Sequence, residues 1–318
     1  MTLDEILKEI NKAENIVILT HESPDGDAIG SSLAVKLIAN TLGKQADVIM
    51  TEYSRLFDFL PEIDNVKTES DIKEYDLAIS VDCASLARLD NREYFENAKK
   101  TIVIDHHGSN NMFGDINFVN PVSPACCEVL AGIAMYFEIP ITKEIGSCII
   151  AGIITDTGGF RHQGVTSETF EFTAELIRAG VDISEIYNRV LKTKTRPNFE
   201  LSRKVIDRLE MIEDEKITFS YITKADEEEV GAKPGDHEGL VDIGLEIENV
   251  KISIFVREND LKTGFKVSMR AKGDINVSDV CMVFGGGGHK KAAGAFIQGD
   301  LQTVKDKIIK ESIKVLEI

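Results

Sequence analysis

The sequence predicts an α/β protein: an N-terminal domain built around a parallel sheet and a smaller C-terminal α/β domain, joined by a linker. Its 318 residues allow roughly two domains that each bury a core. Short β-branched runs alternate with helical patterns in the first half, which favours a parallel sheet with right-handed crossovers. A basic connector at residues 191–198 separates this half from a second group of strand patterns.

Four β-branched runs predict the strands of the N-terminal sheet, at residues 15–20, 46–50, 77–82 and 101–105. Residues 30–42, between the first two runs, have a helical pattern. Two apolar helices are predicted at 124–137 and 143–154, and the second of them could be partly strand. A further helix over 169–179 stops at Gly180.

Strand patterns return after the connector, at residues 216–222, 250–257 and 265–270. An amphipathic helix is predicted at 301–316. We therefore place the first domain at residues 1–186, the linker at 187–203 and the second domain at 204–318.

The negative charge is concentrated in the N-terminal part. The net charge is −18, of which −15 falls in residues 1–214 and −3 in residues 215–318. So acidic a chain has no general attraction for a polyanion, which disfavours histone-like or groove-reading nucleic-acid binding. A phosphate ligand would need local positive charge, and metal ions could supply it.

The apolar segments predict no membrane span. The longest of them, residues 148–154, is far shorter than the roughly 20 residues that cross a bilayer. Five cysteines without CxxC spacing lie in apolar contexts, which favours buried thiols in a reducing compartment. We therefore expect the cytoplasm.

Acidic and histidine side chains follow several predicted strands where each strand ends. A single Asp there could equally form a turn or cap a helix. Four segments that deliver such residues to the carboxyl edge of one sheet favour a ligand site. The residues are His21, Asp25 and Asp27 after the first strand, Asp82 after the third, Asp105, His106 and His107 after the fourth, and Asp156 after residues 149–154.

Several carboxylates in one low-dielectric cleft repel each other unless cations neutralise them. Mixed carboxylate and imidazole ligands suit manganese or iron(II) better than calcium. Two such ions about 3.5–4 Å apart, bridged by one carboxylate, are a common device for displacement at phosphorus. The pattern therefore predicts a two-metal site.

Five motifs carry a family resemblance. HESPDGDAIGS, the aspartate of VDC, DHH and TDTG resemble, in order and rough spacing, the motifs of the DHH phosphoesterases. FGGGGHKKAAG resembles the signature of the DHH-associated substrate-binding domain, so the resemblance covers essentially the whole chain. Its length is similar to the stand-alone branch that hydrolyses very short oligoribonucleotides (nanoRNA) to mononucleotides and adenosine 3′,5′-bisphosphate (pAp) to AMP.

The resemblance implies a phosphoric ester hydrolase with two divalent ions, and Mn²⁺ is the expected ion. It implies that His21 and Asp25 hold one ion, that Asp82 bridges the two, and that the second is held by Asp27, His106 and Asp156. Asp105 would orient its neighbours, and His107 would face the scissile phosphate. The attacking group would be a water activated by both ions.

The C-terminal motif implies a nucleotide-binding module. Four glycines usually form a flexible linker, but here His289 and two lysines follow, and then a predicted helix start, which favours an anion cradle. Arg270 and Arg257 are further candidates for a phosphate clamp, which Ser268 could assist, and Arg257 could instead be a solvated strand-end charge. The predicted substrate-binding residues are Arg257, Ser268, Arg270, Gly285, Gly286, Gly287, Gly288 and His289.

The predicted partners are short RNA or DNA oligonucleotides and small nucleotides, held in a cleft between the domains that favours about two to five nucleotides. Long duplexes and membranes are not expected, and a homodimer is a family-level expectation. The main alternative is a cyclic-dinucleotide or linear pApA phosphodiesterase. A single-strand DNA exonuclease, a pyrophosphatase and a non-catalytic nucleotide sensor remain weaker alternatives.

Overall fold

A computed structural model of the chain describes residues 2–162 and 164–316. The chain divides between Thr193 and Lys194 into two compact units. This division lies inside the segment 187–203 that the sequence predicts as a linker. Much of that segment is helical, because a π-helical turn covers Asn188–Lys192 and helix α8 begins at Arg196.

The first unit contains a parallel five-stranded sheet in the order β2-β1-β3-β4-β5, which confirms the predicted fold class. The four predicted strands end within two residues of their predicted bounds. The fifth was missed because its INFV segment is too short to show a pattern. The strands are β1 Asn15–Leu19, β2 Gln45–Val48, β3 Leu77–Val81, β4 Thr101–Asp105 and β5 Ile116–Val119.

Helices cover both faces of this sheet, as a parallel sheet requires. One face packs mainly against α2, α4 and α5 in the large hydrophobic core, and the other packs against α3. The helices are α1 Thr2–Lys12, α2 Gly26–Thr41, α3 Arg92–Glu96, α4 Cys126–Tyr136, α5 Lys143–Asp156, α6 Ser167–Arg178 and α7 Ile183–Tyr187. Short 3₁₀ turns lie at Arg55–Phe57, Ile63–Asn65 and Leu86–Arg88.

The helix predicted at 143–154 is confirmed, but the alternative of a partial strand is wrong. All of Lys143–Asp156 is one helix, capped by the Thr142 hydroxyl that accepts the Ile145 N–H, so Asp156 ends a helix and does not follow a strand. When every residue of a short run is apolar, the sequence has no periodicity that distinguishes a buried strand from a buried helix. The helix predicted over residues 30–42 begins earlier, at Gly26, because Asp25 caps it.

The second unit is the smaller α/β domain that the sequence predicts. Its mixed sheet has the order β10-β11-β9-β8-β7-β6, in which β7 and β8 run parallel and the other neighbours antiparallel. The strands are β6 Glu210–Ile212, β7 Ile217–Ile222, β8 Ile252–Glu258, β9 Gly264–Ala271, β10 Gly287–His289 and β11 Ala292–Gln298. The helices are α8 Arg196–Asp207, α9 Lys224–Val230, α10 Asp242–Leu245, α11 Val277–Met282 and α12 Leu301–Leu316. Across residues 2–162 and 164–316, no helix combines the length and the apolar character that crossing a membrane requires.

The prediction of a helix after the four glycines was also wrong, because Ala292–Gln298 form strand β11. Gly287–His289 form the edge strand β10, which pairs antiparallel with β11. Gly286 leads into this hairpin, and a Cβ there would lie 2.1 Å from the carbonyl oxygen of Gly294. The glycines therefore allow the two strands to approach closely. In this described segment, no helix N-terminus supports the glycines as predicted.

A buried carboxylate joins three basic groups in the second unit. Glu227 of α9 accepts hydrogen bonds from Arg257 Nη1 at 3.0 Å, His237 Nε2 at 2.7 Å and Lys224 Nζ at 3.1 Å. Its side chain is 5% exposed. Burial favours the neutral acid, but His237, Arg257 and Lys224 outweigh burial and lower the pKa of Glu227 to about 2. The ionised carboxylate therefore ties α9 to β8.

Replacing Glu227 with Gln should lower the free energy of unfolding at pH 7 by about 2–3 kcal/mol, because three donors lose a charged acceptor. A lowered native pKa stabilises the fold above the ordinary value of 4.5, and this contribution is lost as the pH falls towards about 2. In urea unfolding, the gap between wild type and E227Q should thus narrow over that range. Glu229→Gln is the control, because the Glu229 side chain is 68% exposed and its pair with Lys204 should contribute below about 0.5 kcal/mol. Equal effects of both substitutions would contradict the prediction.

Candidate metal centre

Three neighbouring strands place histidines and carboxylates at one edge of the first sheet. Asp82 directly follows β3, Asp105 is the last residue of β4, and His21 follows β1 by two residues. Since β1, β3 and β4 are parallel neighbours, their carboxyl ends lie side by side.

The remaining predicted ligands come from helices. Asp27 is fully buried in the first turn of α2, and Asp156 is the last residue of α5. Asp25 is exposed and caps α2, since its Oδ1 accepts the N–H groups of Asp27 and Ala28 at 3.1 Å. The capping alternative is therefore real for Asp25, although its carboxylate still lies at the same edge.

Asp82 lies between two groups of possible ligands. His106 Nε2 is 3.4 Å from Asp82 Oδ1, and His21 Nε2 is 3.8 Å from Asp82 Oδ2. Ligand atoms within each group lie within 4.8 Å of one another. The groups are His21, Asp25 and Asp82, then Asp27, His106 and Asp156, and a third, Asp82, Asp105, His106 and His107, that overlaps both.

The imidazole rings present Nε2 to these carboxylates. His106 Nδ1 lies 3.2 Å from the Ser123 carbonyl and His21 Nδ1 lies 2.8 Å from the Glu22 carbonyl. A carbonyl oxygen only accepts, so each Nδ1 carries the hydrogen and a neutral ring turns its Nε2 lone pair towards Asp82. A lone pair facing a carboxylate is repulsive unless a cation or a proton lies between them.

Asp82 itself points to a missing partner. Its Oδ1 is buried and forms no well-aligned hydrogen bond within the described residues, although His106 Nε2 lies 3.4 Å away. Its backbone has a φ of 49°, a left-handed conformation that Asp and Asn tolerate better than most residues. The unsatisfied oxygen and the mixed oxygen and nitrogen donors fit divalent cations.

The pKa values of the clustered carboxylates and histidines favour positive charge at this site. Burial and the neighbouring Asp82 raise the pKa of Asp27 to about 7, and burial raises the pKa of Asp156 well above its usual range. For His106, burial favours the neutral ring, but Asp82, Asp27 and Asp156 outweigh it and raise the pKa to about 10. Burial also opposes ionisation of Asp82, yet His106 and the other histidines lower its pKa.

Asp105 orients its neighbours rather than facing the solvent. It is fully buried, and its Oδ1 accepts the His106 N–H at 2.8 Å and lies 2.8 Å from His107 Nδ1. Its Oδ2 accepts a hydrogen bond from Asn110 Nδ2 at 2.7 Å. The same Nδ2 lies 3.1 Å from the Cys83 carbonyl, so Asn110 links the loops after β3 and β4.

Sequence reasoning missed Asn110 and the backbone donors to Asp27. Two asparagines follow the DHH motif in a turn-rich loop, and the pattern gives no means of separating Asn110 from Asn111. The N–H groups of Cys126 and Cys127, at the start of α4, bond to Asp27 at 2.5 and 2.9 Å. Backbone donors leave no signal in side-chain chemistry.

The second unit aligns several predicted substrate-binding residues on one face of its sheet. Ser268 is opposite Gly294, which is opposite Gly287, and Arg270 is opposite Ala292, which is opposite His289. Residues opposite each other in neighbouring strands share a face.

The two predicted arginines have different surroundings. The Arg270 side chain is 36% exposed, with its Nε 3.6 Å from Asp242 Oδ1. Arg257 lies on the same face, opposite Lys266, but its Nη1 donates to Glu227 and lies 2.9 Å from His237 Nε2. His162, which follows the TDTG motif, has its Nδ1 3.0 Å from the Asp156 carbonyl.

Comparison with known proteins gives two family matches. Residues 15–153 match the DHH family, N-terminal domain, and residues 214–317 match the DHHA1 domain. The first match contains every predicted metal ligand except Asp156, and the second contains the glycine motif.

Several relatives are similar over most of this chain. The bifunctional oligoribonuclease and PAP phosphatase NrnA of Thermus thermophilus is 30% identical, over 96% of this chain and 90% of that protein. The Bacillus subtilis protein of the same name is 26% identical, over 92% of both chains. A cyclic-di-AMP phosphodiesterase, PdeA of Listeria monocytogenes, is 26% identical over 96% of this chain and 47% of its own length. The crystal structure of an exopolyphosphatase-related protein from Bacteroides fragilis has a TM-score of 0.90, with 28% identity over 98% of this chain and 96% of that one.

Asn110→Ala should lower the free energy of unfolding by about 1–3 kcal/mol, because the buried Asp105 carboxylate loses a donor. Urea unfolding monitored by circular dichroism measures the change. Asn111→Ala is the matched control, because Asn111 is exposed and its N–H, which the substitution retains, bonds to the Ala84 carbonyl. A loss below about 0.5 kcal/mol for Asn110→Ala, the range of ordinary surface substitutions, would contradict this role.

Proposed function

The chain belongs to the DHH family and is a phosphoric ester hydrolase, and from this we propose that it degrades very short oligoribonucleotides to mononucleotides and converts pAp to AMP. Relatives that carry both activities in their names align over about nine tenths of their own length and of this chain. The observation that carries the proposal is the buried Asp82 between two ligand groups, because that arrangement suits a two-metal phosphoesterase.

We assign the ligands as follows. His21, Asp25 and Asp82 hold one divalent ion, and Asp27, Asp82, His106 and Asp156 hold the other. Mn²⁺ is the proposed ion, because it accepts carboxylate and imidazole ligands together. When bound, the two ions would activate water and neutralise the charge of the phosphate.

His107 is the proposed group that contacts the phosphate. Asp105 fixes the ring through Nδ1 and stabilises its protonated form, much as a buried aspartate does for a catalytic histidine in hydrolases. Burial would favour a neutral ring, but Asp105 and Asp82 outweigh it and raise the pKa of His107. A protonated ring at this position would donate to the phosphate as charge develops in the transition state.

The second unit is proposed to bind the nucleotide. Arg270 and Ser268 share one face with Gly287 and His289, so a phosphate there would meet a guanidinium, a hydroxyl and exposed backbone. We leave Arg257 out of the binding residues, although it lies on the same face of the sheet, because its guanidinium already donates to Glu227.

A second candidate function is hydrolysis of cyclic dinucleotides or linear pApA. The similarity to the cyclic-di-AMP phosphodiesterase spans 96% of this chain and supports it. The same metal site would serve both functions, so the two differ in substrate and not in mechanism.

A side-by-side rate measurement with Mn²⁺ separates these functions. The substrates are pAp, pApA, cyclic di-AMP, pyrophosphate and RNAs of graded length. We expect pAp and RNAs of about two to five nucleotides to react fastest, because so acidic a chain has no general attraction for a long polyanion. Faster hydrolysis of cyclic di-AMP would favour the second candidate, and activity on pyrophosphate alone would contradict both.

Asp82→Asn is the matched control for this measurement. Asn retains the shape of Asp82 and tolerates its left-handed backbone, but it removes the charge that both ions require. Hydrolysis of every substrate should fall at least about 100-fold while the circular dichroism spectrum is unchanged, because metal ions contribute several kcal/mol to such reactions. Retained activity would contradict the assignment of Asp82.

Arg270→Ala should raise KM for pAp and short RNA about tenfold or more, with kcat and Mn²⁺ affinity less affected, because a charged hydrogen bond to phosphate is lost. Steady-state kinetics measures the split. Arg203→Ala removes an arginine of α8 that is 68% exposed, and should leave KM unchanged. An unchanged KM for Arg270→Ala on every nucleotide would contradict the binding face.

A further inference from the structure

Helices α2, α4 and α5 enclose the carboxylate of Asp27. The Asp27 side chain is fully buried, and each of its oxygens accepts one backbone N–H from the start of α4: Oδ2 from Cys126 and Oδ1 from Cys127. Charged acceptors at a helix N-terminus gain from both the hydrogen bonds and the helix dipole. Helix α4 thus fixes the carboxylate from one side.

Helix α5 approaches the same carboxylate from the other side at Gly152. A Cβ on Gly152 would lie 2.5 Å from Asp27 Oδ1 and 2.3 Å from Cys127 Sγ. Both distances are far shorter than van der Waals contact. Alanine at this position would therefore have to displace Asp27, Cys127 or α5 itself.

The glycine has no backbone reason to be there. Gly152 lies in the interior of α5, and its φ is not in the left-handed region. Glycine inside a helix costs about 1 kcal/mol relative to alanine. The close approach to Asp27 and Cys127 is what offsets this cost.

The contact also bears on a second proposed ligand. Asp156 follows Gly152 by one helical turn, so the depth at which α5 packs sets the position of Asp156 as well. His106 Nε2 lies 3.4 Å from Asp156 Oδ2 and 3.9 Å from Asp27 Oδ2. The spacing of the proposed second metal group therefore depends on how closely α5 meets α2 and α4.

We propose that Gly152 is a positioning residue for the metal centre: its missing side chain allows Asp27 to be fixed between α4 and α5 with its carboxylate directed at His106 and Asp156. The inference rests on the metal site of the proposed function. It predicts that a single methyl group outside the ligand set weakens metal binding.

Gly152→Ala should lower the Mn²⁺ affinity of the metal-free protein about 10- to 100-fold, the usual effect of disturbing a group that orients a ligand. Isothermal titration calorimetry measures this without substrate. Gly146→Ala is the control on the same helix, because its Cβ would lie 2.6 Å from Val181 Cγ2 and meet no carboxylate. It should lose stability but retain the wild-type Mn²⁺ affinity.

The double variant Cys127→Ala/Gly152→Ala separates positioning from packing. It removes the clash with Sγ but retains the clash with Asp27 Oδ1 at 2.5 Å and a milder one with the Cβ of residue 127 at 2.9 Å, so stability should recover in part while Mn²⁺ affinity stays low. Cys127→Ala alone should bind Mn²⁺ normally, because its contribution to Asp27 Oδ1 is a backbone N–H. If Gly152→Ala alone does not fold, the double variant carries the test.

Three results would overturn the inference. They are wild-type affinity in Gly152→Ala, wild-type affinity restored in the double variant, and failure of the double variant to fold, since Gly152 would then serve the fold as a whole. Each leaves the proposed function intact as long as the unmodified protein binds Mn²⁺. Absence of Mn²⁺ binding in the unmodified protein would overturn both.

Discussion

Crowding of carboxylates at one edge of a parallel sheet is the constraint on which this structure depends. Asp27, Asp82 and Asp105 are each at most 2% exposed, and charges so well removed from water are costly unless compensated. Each has a different compensation. Asp105 accepts hydrogen bonds from the DHH loop and Asp27 accepts them from the start of α4. Asp82 has neighbouring histidines, but its Oδ1 forms no well-aligned hydrogen bond within the described residues.

This constraint explains why the first unit is so apolar around its centre. Donors that fix a carboxylate must themselves be rigid, so the helices that supply them pack on the sheet through fully buried side chains. In the second unit, ion pairs stabilise buried carboxylates. Asp226 and Glu227 are paired with arginine and lysine, which suits a domain whose net charge is close to zero.

Sequence reasoning predicted the sheet, and it named histidines and carboxylates that the structure brings together, but it did not predict how those side chains are held. His21, Asp82 and His106 follow strands, and alternation of patterns is enough to predict that. Asp156 was misplaced because a buried apolar run reads equally well as strand or helix, and residues 149–154 are fully buried on every side. The hairpin of β10 and β11 was missed because glycine and alanine have weak strand propensity, and its pairing depends on backbone approach. Backbone donors such as the Cys126 N–H can be identified only from the structure, because they come from a helix far from Asp27 in the sequence.

The outer strands of the second sheet also bear on the solubility of the domain. Both β6 and β10 have only three residues, and Lys290 and Lys291 directly follow β10. An edge strand exposes unpaired backbone groups that can recruit another chain, and short edges flanked by lysine are a common protection against it. We propose the exposed backbone of β10 for nucleotide binding. Because β10 is short and lysines follow it, pairing with another chain, which would start aggregation, is disfavoured.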